Sequence, residues 1–120
     1  MKTKRLSFVL TALAFALAAC GGGNGTSAET VTVKGMDTFR YDPATLTAQV
    51  GQVINVTLDN EGVLEHNFVI QEMNVSLGPV AGGQAASGSF TPVTAGAYEY
   101  YCDVPGHREA GMVGTLTVNP

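Results

Sequence analysis

The sequence has little positive charge and few residues that bind metals or form disulfides. It contains six basic residues against ten acidic ones, with only two histidines and two cysteines. Three of the basic residues lie within the first five positions, so the rest of the chain has only Lys34, Arg40 and Arg108. Without a basic patch to meet phosphates, nucleic-acid binding is excluded, and adhesion to anionic lipid by charge is disfavoured.

Cysteine is scarce enough to limit what its thiols can do. One of the two, Cys20, lies at the end of an N-terminal apolar run, and the other is Cys102. If Cys20 belongs to a processing signal, Cys102 is the only thiol of the folded part and has no intramolecular disulfide partner. The presence of Cys102 therefore needs another explanation.

The first 19 residues predict an export signal. A positive start is followed by an apolar run from Phe8 to Ala19, which is too short to span a bilayer comfortably. The run leads into Leu17-Ala18-Ala19-Cys20, which resembles the lipobox of bacterial lipoproteins. That resemblance implies lipidation of Cys20 and stable anchoring by two or more acyl chains. Ordinary signal cleavage near Ala18, leaving a free thiol in a soluble protein, is the alternative.

The remaining chain divides into a tether and one domain. Residues 20–28 are rich in glycine and predict a flexible tether. Residues 29–120 are long enough for one modest core. Apolar residues alternate with polar ones, with Thr, Val and Tyr enriched, which predicts half-buried antiparallel strands. The clearest alternating segments are residues 31–33, 54–58, 98–100 and 116–118.

These strands and the turn signals between them predict the fold class. The sequence indicates an all-β protein, specifically a Greek-key two-sheet β-sandwich of seven or eight strands. No helix of more than a turn or two is expected. Residues 72–88 are rich in small side chains and are expected to form a loop that crosses from one sheet to the other.

Four side chains with metal-binding atoms occur in two places. His66 begins an apolar strand, whereas Cys102, His107 and Met112 form a C-x4-H-x4-M cluster between two predicted strands. Two imidazoles and a thiolate with a weak axial thioether are the donor set of blue-copper sites. Both histidines of the chain and its one available cysteine are used. The pattern therefore predicts one mononuclear copper site.

Each of these residues also has a less specific interpretation. An isolated histidine is usually a surface or satisfied core residue, and isolated methionines and cysteines are usually core residues. A Cys–His pair can make a nucleophile, although no third residue to orient the base is evident. Copper enzymes need additional ligands, and methionine is a poor zinc ligand. A copper carrier or storage protein is expected to be richer in methionine or histidine.

Longer segments around these residues resemble the cupredoxins. Residues 100–116 are similar to the ligand loop and last strand of that family, and residues 64–70 to the segment that bears its first histidine. Residues 39–52 are similar to its early strands. The ligand loop is longer than that of plastocyanins and closer to that of auracyanins, the membrane-associated blue-copper proteins of green filamentous photosynthetic bacteria. The resemblance covers residues 29–120.

The resemblance implies a role for each residue of the site. Cys102 would be the thiolate ligand and main electronic path, and Met112 the axial thioether. His66 would be the buried imidazole, and His107 the imidazole whose ring edge reaches the surface. Asn67 would bridge the strand and the ligand loop by hydrogen bonds, the alternative being an ordinary polar residue beside a turn.

The implied function is electron transfer by a protein that is not an enzyme. One copper ion would cycle between Cu(II) and Cu(I) in a photosynthetic or respiratory chain. Expected partners are c-type cytochromes, a quinol-oxidising complex, a reaction centre or a terminal oxidase. The protein is expected to be a monomer, anchored at the periplasmic or extracellular face of a membrane. A periplasmic copper-binding or copper-trafficking lipoprotein is the alternative.

A small apolar docking patch is expected around the second histidine, His107. It would be formed by Gly62, Val63, Leu64, Val104 and Pro105.

Overall fold

The computed structural model describes residues 26–120, and the predicted export signal and lipidation site lie outside them. One three-residue 3-10 turn, Gln71–Met73, is present, and no helix of the described part is long and apolar enough to cross a membrane. The described chain forms β1 (Glu29–Met36), β2 (Arg40–Asp42), β3 (Thr45–Gln49), β4 (Ile54–Asn60), β5 (His66–Ile70), β6 (Val75–Val80), β7 (Ala85–Phe90), β8 (Gly96–Tyr101) and β9 (Val113–Asn119).

The strands form two sheets that enclose one core. The first sheet has the order β2-β1-β4-β7, and the second has the order β3-β9-β8-β5-β6. The chain crosses repeatedly between them, and buried apolar side chains from both sheets form a single cluster. The predicted all-β, two-sheet sandwich is therefore confirmed, with nine strands in the described residues instead of seven or eight.

Strand direction differs from the prediction. β1 pairs in parallel with β4, and β3 pairs in parallel with β9, whereas antiparallel strands were expected. Alternation along a strand indicates which side chains share a face of the sheet, but it carries no information about the direction of the neighbouring strand. Both sheets are consequently mixed.

Residues 72–88 also differ from the prediction, because they hold β6 and part of β7 instead of a loop. The two strands are edge strands of opposite sheets, so the chain does cross between the sheets here. The small residues allow close packing between these edges. A Cβ atom added to Gly88 would lie 2.7 Å from Cδ2 of Leu77, so the absence of a side chain makes room for a core leucine.

Several connections meet at one end of the sandwich because of these strand directions. Gly35 pairs with Asn60 near the ends of the parallel strands β1 and β4, so the chain leaves both strands at the same end. β5 begins there at His66, opposite Val80 near the end of β6. The connection 102–112 closes the same end, since β8 and β9 are antiparallel and β5 pairs with β8.

The aromatic core of this sandwich is closely packed. The ring of Tyr100 stacks on Phe68 with centroids 4.9 Å apart, and Tyr41 lies 5.3 Å from Tyr100. Gly114 pairs with Tyr100 in the β8–β9 ladder. A Cβ atom at Gly114 would lie 2.0 Å from Cζ of Tyr100. The tyrosine ring thus occupies the space that a side chain at position 114 would need.

We expect Gly114→Ala to lower the free energy of unfolding by about 1–3 kcal/mol, because an overpacked core displaces its neighbours. Thr117→Val is a matched control on the same strand, since Thr117 is exposed and valine keeps its branched shape. The control is expected to change stability by no more than about 0.5 kcal/mol. Urea unfolding measures both, and equal effects would contradict the packing described here.

Candidate metal centre

His66, Cys102 and His107 converge at the closed end of the sandwich. Nδ1 of His66 lies 3.2 Å from Nδ1 of His107, and Sγ of Cys102 lies 3.4 Å from the same His107 nitrogen. All three donor atoms lie within 4.8 Å of one another. Two imidazole nitrogens and one sulfur therefore form a candidate metal site from residues that the sequence analysis selected.

The candidate site is buried. His66 and Cys102 have no exposed surface, and Met112 is also completely buried. His107 is 8% exposed. This exposure is lower than expected for an imidazole whose ring edge reaches the surface. The ring of Phe39 lies against the His107 ring, with centroids 4.8 Å apart. Solvent therefore reaches the site only through a small part of one imidazole.

Backbone hydrogen bonds hold the two ends of the ligand loop together. The N–H of Cys102 donates to the carbonyl of Met112 at 3.1 Å, and the N–H of Met112 donates to the carbonyl of His107 at 3.0 Å. Gly106 has a φ of 87°, in the left-handed region that glycine adopts at little cost. The tight turn before His107 and these hydrogen bonds bring Met112 back beside Cys102, at the start of the loop. The C-x4-H-x4-M spacing likewise indicates that these residues share one loop.

Asn67 connects strand β5 to the ligand loop. Its backbone N–H donates to Sγ of Cys102 at 3.4 Å. Its side-chain oxygen accepts the N–H of Asp103 at 2.8 Å, and its side-chain nitrogen donates to the Asp103 carboxylate. The Tyr41 hydroxyl donates to the Asn67 carbonyl. The strand that carries His66 is thus attached directly to the segment that carries Cys102.

Burial favours the uncharged forms of two groups in the site. It raises the pKa of the Cys102 thiol, although the N–H groups of Asn67 and Val104 act in the opposite direction. Burial also lowers the pKa of His107, with a further decrease from the neighbouring His66. A neutral imidazole has a free lone pair for a metal, and a bound cation displaces the thiol proton.

Asp37, which no sequence pattern indicated, contacts His66 through the ring nitrogen that does not face the other donor atoms. Oδ1 of Asp37 lies 3.0 Å from Nε2 of His66. The carboxylate also accepts the N–H of Val63 at 2.8 Å and the N–H of Leu64 at 3.2 Å. The Val63 bond, followed by those of Leu64 and His66, holds the pKa of Asp37 below its ordinary value. No spacing motif includes Asp37, because it lies 29 positions before His66.

The residues predicted as a docking patch lie on two loops at this end. Val63 is 86% exposed and Leu64 is 44% exposed, Pro105 is exposed, and Gly62 and Val104 are partly exposed. Asn60 is buried and fixes the first loop: its side chain donates to the Leu64 carbonyl at 2.7 Å and accepts the Gly62 N–H at 2.9 Å. The backbone of the loop that carries Val63 and Leu64 is therefore held in place by hydrogen bonds.

The sequence is similar to known copper proteins. A family model described as a cupredoxin-like domain matches residues 7–118. The copper-resistant cuproprotein CopI of Rubrivivax gelatinosus is 36% identical over 118 residues, covering 81% of this chain and 70% of that relative. Auracyanin-A of Chloroflexus aurantiacus is 31% identical over 153 residues, covering 92% of this chain and 93% of that relative.

A solved structure has the same fold. The Na-dithionite reduced auracyanin of the photosynthetic bacterium Roseiflexus castenholzii superposes with a TM-score of 0.68 at 23% sequence identity. The match covers 82% of this chain and 100% of that one. This likeness supports the strand arrangement described above.

We expect Asn67→Ala to lower the free energy of unfolding by about 1.5–3 kcal/mol, because it removes a hydrogen bond to a charged group and leaves the Asp103 N–H without its acceptor. Asn55→Ala is the matched control, since Asn55 is exposed on strand β4. Urea unfolding of both variants without copper measures the difference. If the two substitutions had the same effect, the Asn67 connection would not contribute to stability.

Proposed function

Because the chain belongs to the cupredoxin family, whose members bind one type 1 copper ion, we propose that it is a single-electron carrier between redox proteins. The observation that carries this proposal is the convergence of His66, Cys102 and His107, whose donor atoms lie within 4.8 Å of one another in a buried site. Copper supplies the one-electron chemistry of the Cu(II)/Cu(I) couple. The protein supplies the donor set and its surroundings.

The donor set fits copper on its chemistry. Nδ1 of His66, Nδ1 of His107 and Sγ of Cys102, which face one another, would hold the copper ion. Met112, buried at the end of the same loop, would supply a fourth, weaker thioether donor. Thiolate and thioether donors suit Cu(I), and imidazole suits both oxidation states.

The surroundings of the donor set restrict its movement. Asn67 attaches β5 to the ligand loop, and backbone bonds join the ends of that loop. Burial of the donor atoms would also exclude water from the site. Side chains held in this way would need little rearrangement between the two oxidation states, which would favour rapid transfer.

A catalytic role is less well supported than electron transfer. The Cys102 sulfur has no exposed surface, so a substrate would have no direct access to it as a nucleophile. Both histidines of the chain belong to the one candidate site, so the described residues supply no imidazole for a second copper centre. We therefore infer that the protein is not an enzyme.

Copper trafficking is the second candidate function, and the similarity to CopI favours it. A carrier that passes copper to another protein needs ligands that its partner can reach and exchange. Three of the four proposed ligands are completely buried, and the fourth has 8% exposure. This burial favours retention of the metal and transfer of the electron.

The location and partners are proposed from the sequence and the relatives. We propose that residues 1–19 direct export, that Cys20 is lipidated, and that residues 20–28 tether the copper domain, residues 29–120, to the periplasmic or extracellular face of a membrane. The tethered domain would act as a monomer. Its partners would be c-type cytochromes, a quinol-oxidising complex, and a reaction centre or terminal oxidase.

We expect the copper-loaded protein to show an intense thiolate-to-copper absorption band in the visible region, and we expect Cys102→Ser to abolish it. A hydroxyl is a poor donor for this transition, whereas the protein fold should tolerate the similar size of serine. Absorption and electron paramagnetic resonance spectra of both proteins measure the result. A Cys102→Ser variant that stayed blue would contradict the ligand assignment.

The same preparation distinguishes the two candidate functions. A carrier of electrons should keep its copper when mixed with a Cu(I) chelator while exchanging electrons rapidly with a c-type cytochrome. Fast loss of copper to the chelator together with slow electron exchange would support trafficking instead.

We expect Val63→Ser to slow electron transfer with a c-type cytochrome about fivefold, equivalent to about 1 kcal/mol of docking energy, without changing the reduction potential. The reason is that Val63 is 86% exposed beside the copper end and contributes apolar docking surface. Val93→Ser is the matched control, because Val93 is 82% exposed on the connection between β7 and β8 at the opposite end. Stopped-flow kinetics at several salt concentrations measure both variants. Equal rates for Val63→Ser and Val93→Ser would locate the docking surface elsewhere.

A further inference from the structure

We propose that Asp37 is a positioning residue that fixes the orientation of His66 and lowers the reduction potential of the copper site. The proposal rests on the proposed function, since it concerns the same site. Its geometric basis is the 3.0 Å contact between Oδ1 of Asp37 and Nε2 of His66, on a histidine that is completely buried.

The contact with Asp37 determines which nitrogen of His66 carries the proton. An ionised carboxylate only accepts hydrogen bonds. In the Asp37–His66 contact, Nε2 of His66 must therefore be the donor, so the neutral imidazole has its free lone pair on Nδ1. Nδ1 is the nitrogen that lies 3.2 Å from Nδ1 of His107 and faces the other proposed ligands. Asp37 thus selects the tautomer that the metal site needs.

The carboxylate also affects the balance between the two oxidation states. A carboxylate that accepts a hydrogen bond from a ligating imidazole makes that imidazole a stronger donor. Its negative charge, close to the site, favours the more positive Cu(II) state over Cu(I). Both effects lower the reduction potential. The Asp37 side chain is 34% exposed, so solvent weakens the charge effect, whereas the hydrogen bond to the buried ring persists.

Asp37 further connects His66 to the proposed docking surface. Oδ1 is shared between His66 and the N–H of Leu64, and Oδ2 accepts the N–H of Val63. The three bonds fix the carboxylate from two sides. A side chain held in this way keeps a constant position relative to the imidazole, which a carboxylate on a free surface would not do.

The test is the substitution Asp37→Asn in the copper-loaded protein. We expect it to lower the ratio of Cu(II) to Cu(I) affinity about tenfold, which corresponds to a rise of about 59 mV in the reduction potential. Asparagine has nearly the same shape, but it lacks the charge and replaces one acceptor oxygen with a donor. Redox titration of the blue absorption band measures the potential.

Glu65→Gln is the matched control, because Glu65 is exposed beside His66 in the sequence and its substitution removes the same charge. The control should move the potential much less than Asp37→Asn. Equal shifts in the two variants, or no shift in Asp37→Asn, would overturn the proposal and leave the electron-carrier function intact. A wild-type protein with no blue copper centre would overturn both.

A second measurement needs no substitution and guards against a variant that does not fold. In the diamagnetic Cu(I) form of the wild-type protein, nitrogen-15 NMR should detect a slowly exchanging proton on Nε2 of His66. The same signal is expected in the copper-free protein, because Asp37 holds that proton in either case. A proton on Nδ1 of His66 in the copper-free protein, or rapid exchange at Nε2, would contradict the proposed role of Asp37.

Discussion

The hydrogen bonds of Asn67 join the two parts of the chain from which the metal centre is built. His66 begins strand β5, while Cys102 follows strand β8, 35 positions after Asn67. The Asn67 backbone contacts the sulfur, and both ends of its amide bind Asp103. Strand pairing brings β5 and β8 into one sheet and backbone bonds join the ends of the ligand loop, while Asn67 adds a direct link between β5 and that loop. The Asn67 backbone and side chain thus help to hold Cys102 beside the strand that carries His66.

The parallel pairing of β1 with β4 has a consequence for the site beyond the fold. It brings the turn after β1, which contains Asp37, alongside the segment after β4, which contains Val63 and Leu64. One carboxylate can then contact both that segment and His66. An antiparallel pair would have directed the two turns to opposite ends of the sandwich. The parallel direction of β1 and β4 thus allows Asp37 to bond both to the loop that carries Val63 and Leu64 and to the proposed ligand His66.

This dependence on strand direction explains which parts of the site are predictable from the sequence. Cys102, His107 and Met112 are close together in the chain, so their spacing alone indicates a common loop, and alternation indicates a sandwich. Asp37 is different, because its contact with His66 requires the parallel register, which local patterns do not contain. The strands β6 and β7 were not predicted because their small residues suggested a loop, whereas Gly88 lacks a side chain where Leu77 of the opposite sheet packs against it.

The burial of the proposed ligands limits what can pass between the site and a partner. His66, Cys102 and Met112 have no exposed surface, so a partner that removed copper would first have to open the ligand loop against its backbone hydrogen bonds. An electron requires no such opening, because it needs only a short path through bonded atoms and contacts. The partly exposed ring of His107 offers such a path, and the exposed side chains of Val63 and Leu64 lie at the same end. A site closed to ligands and substrates, but near the surface through one imidazole, is therefore better suited to electron exchange than to the exchange of copper.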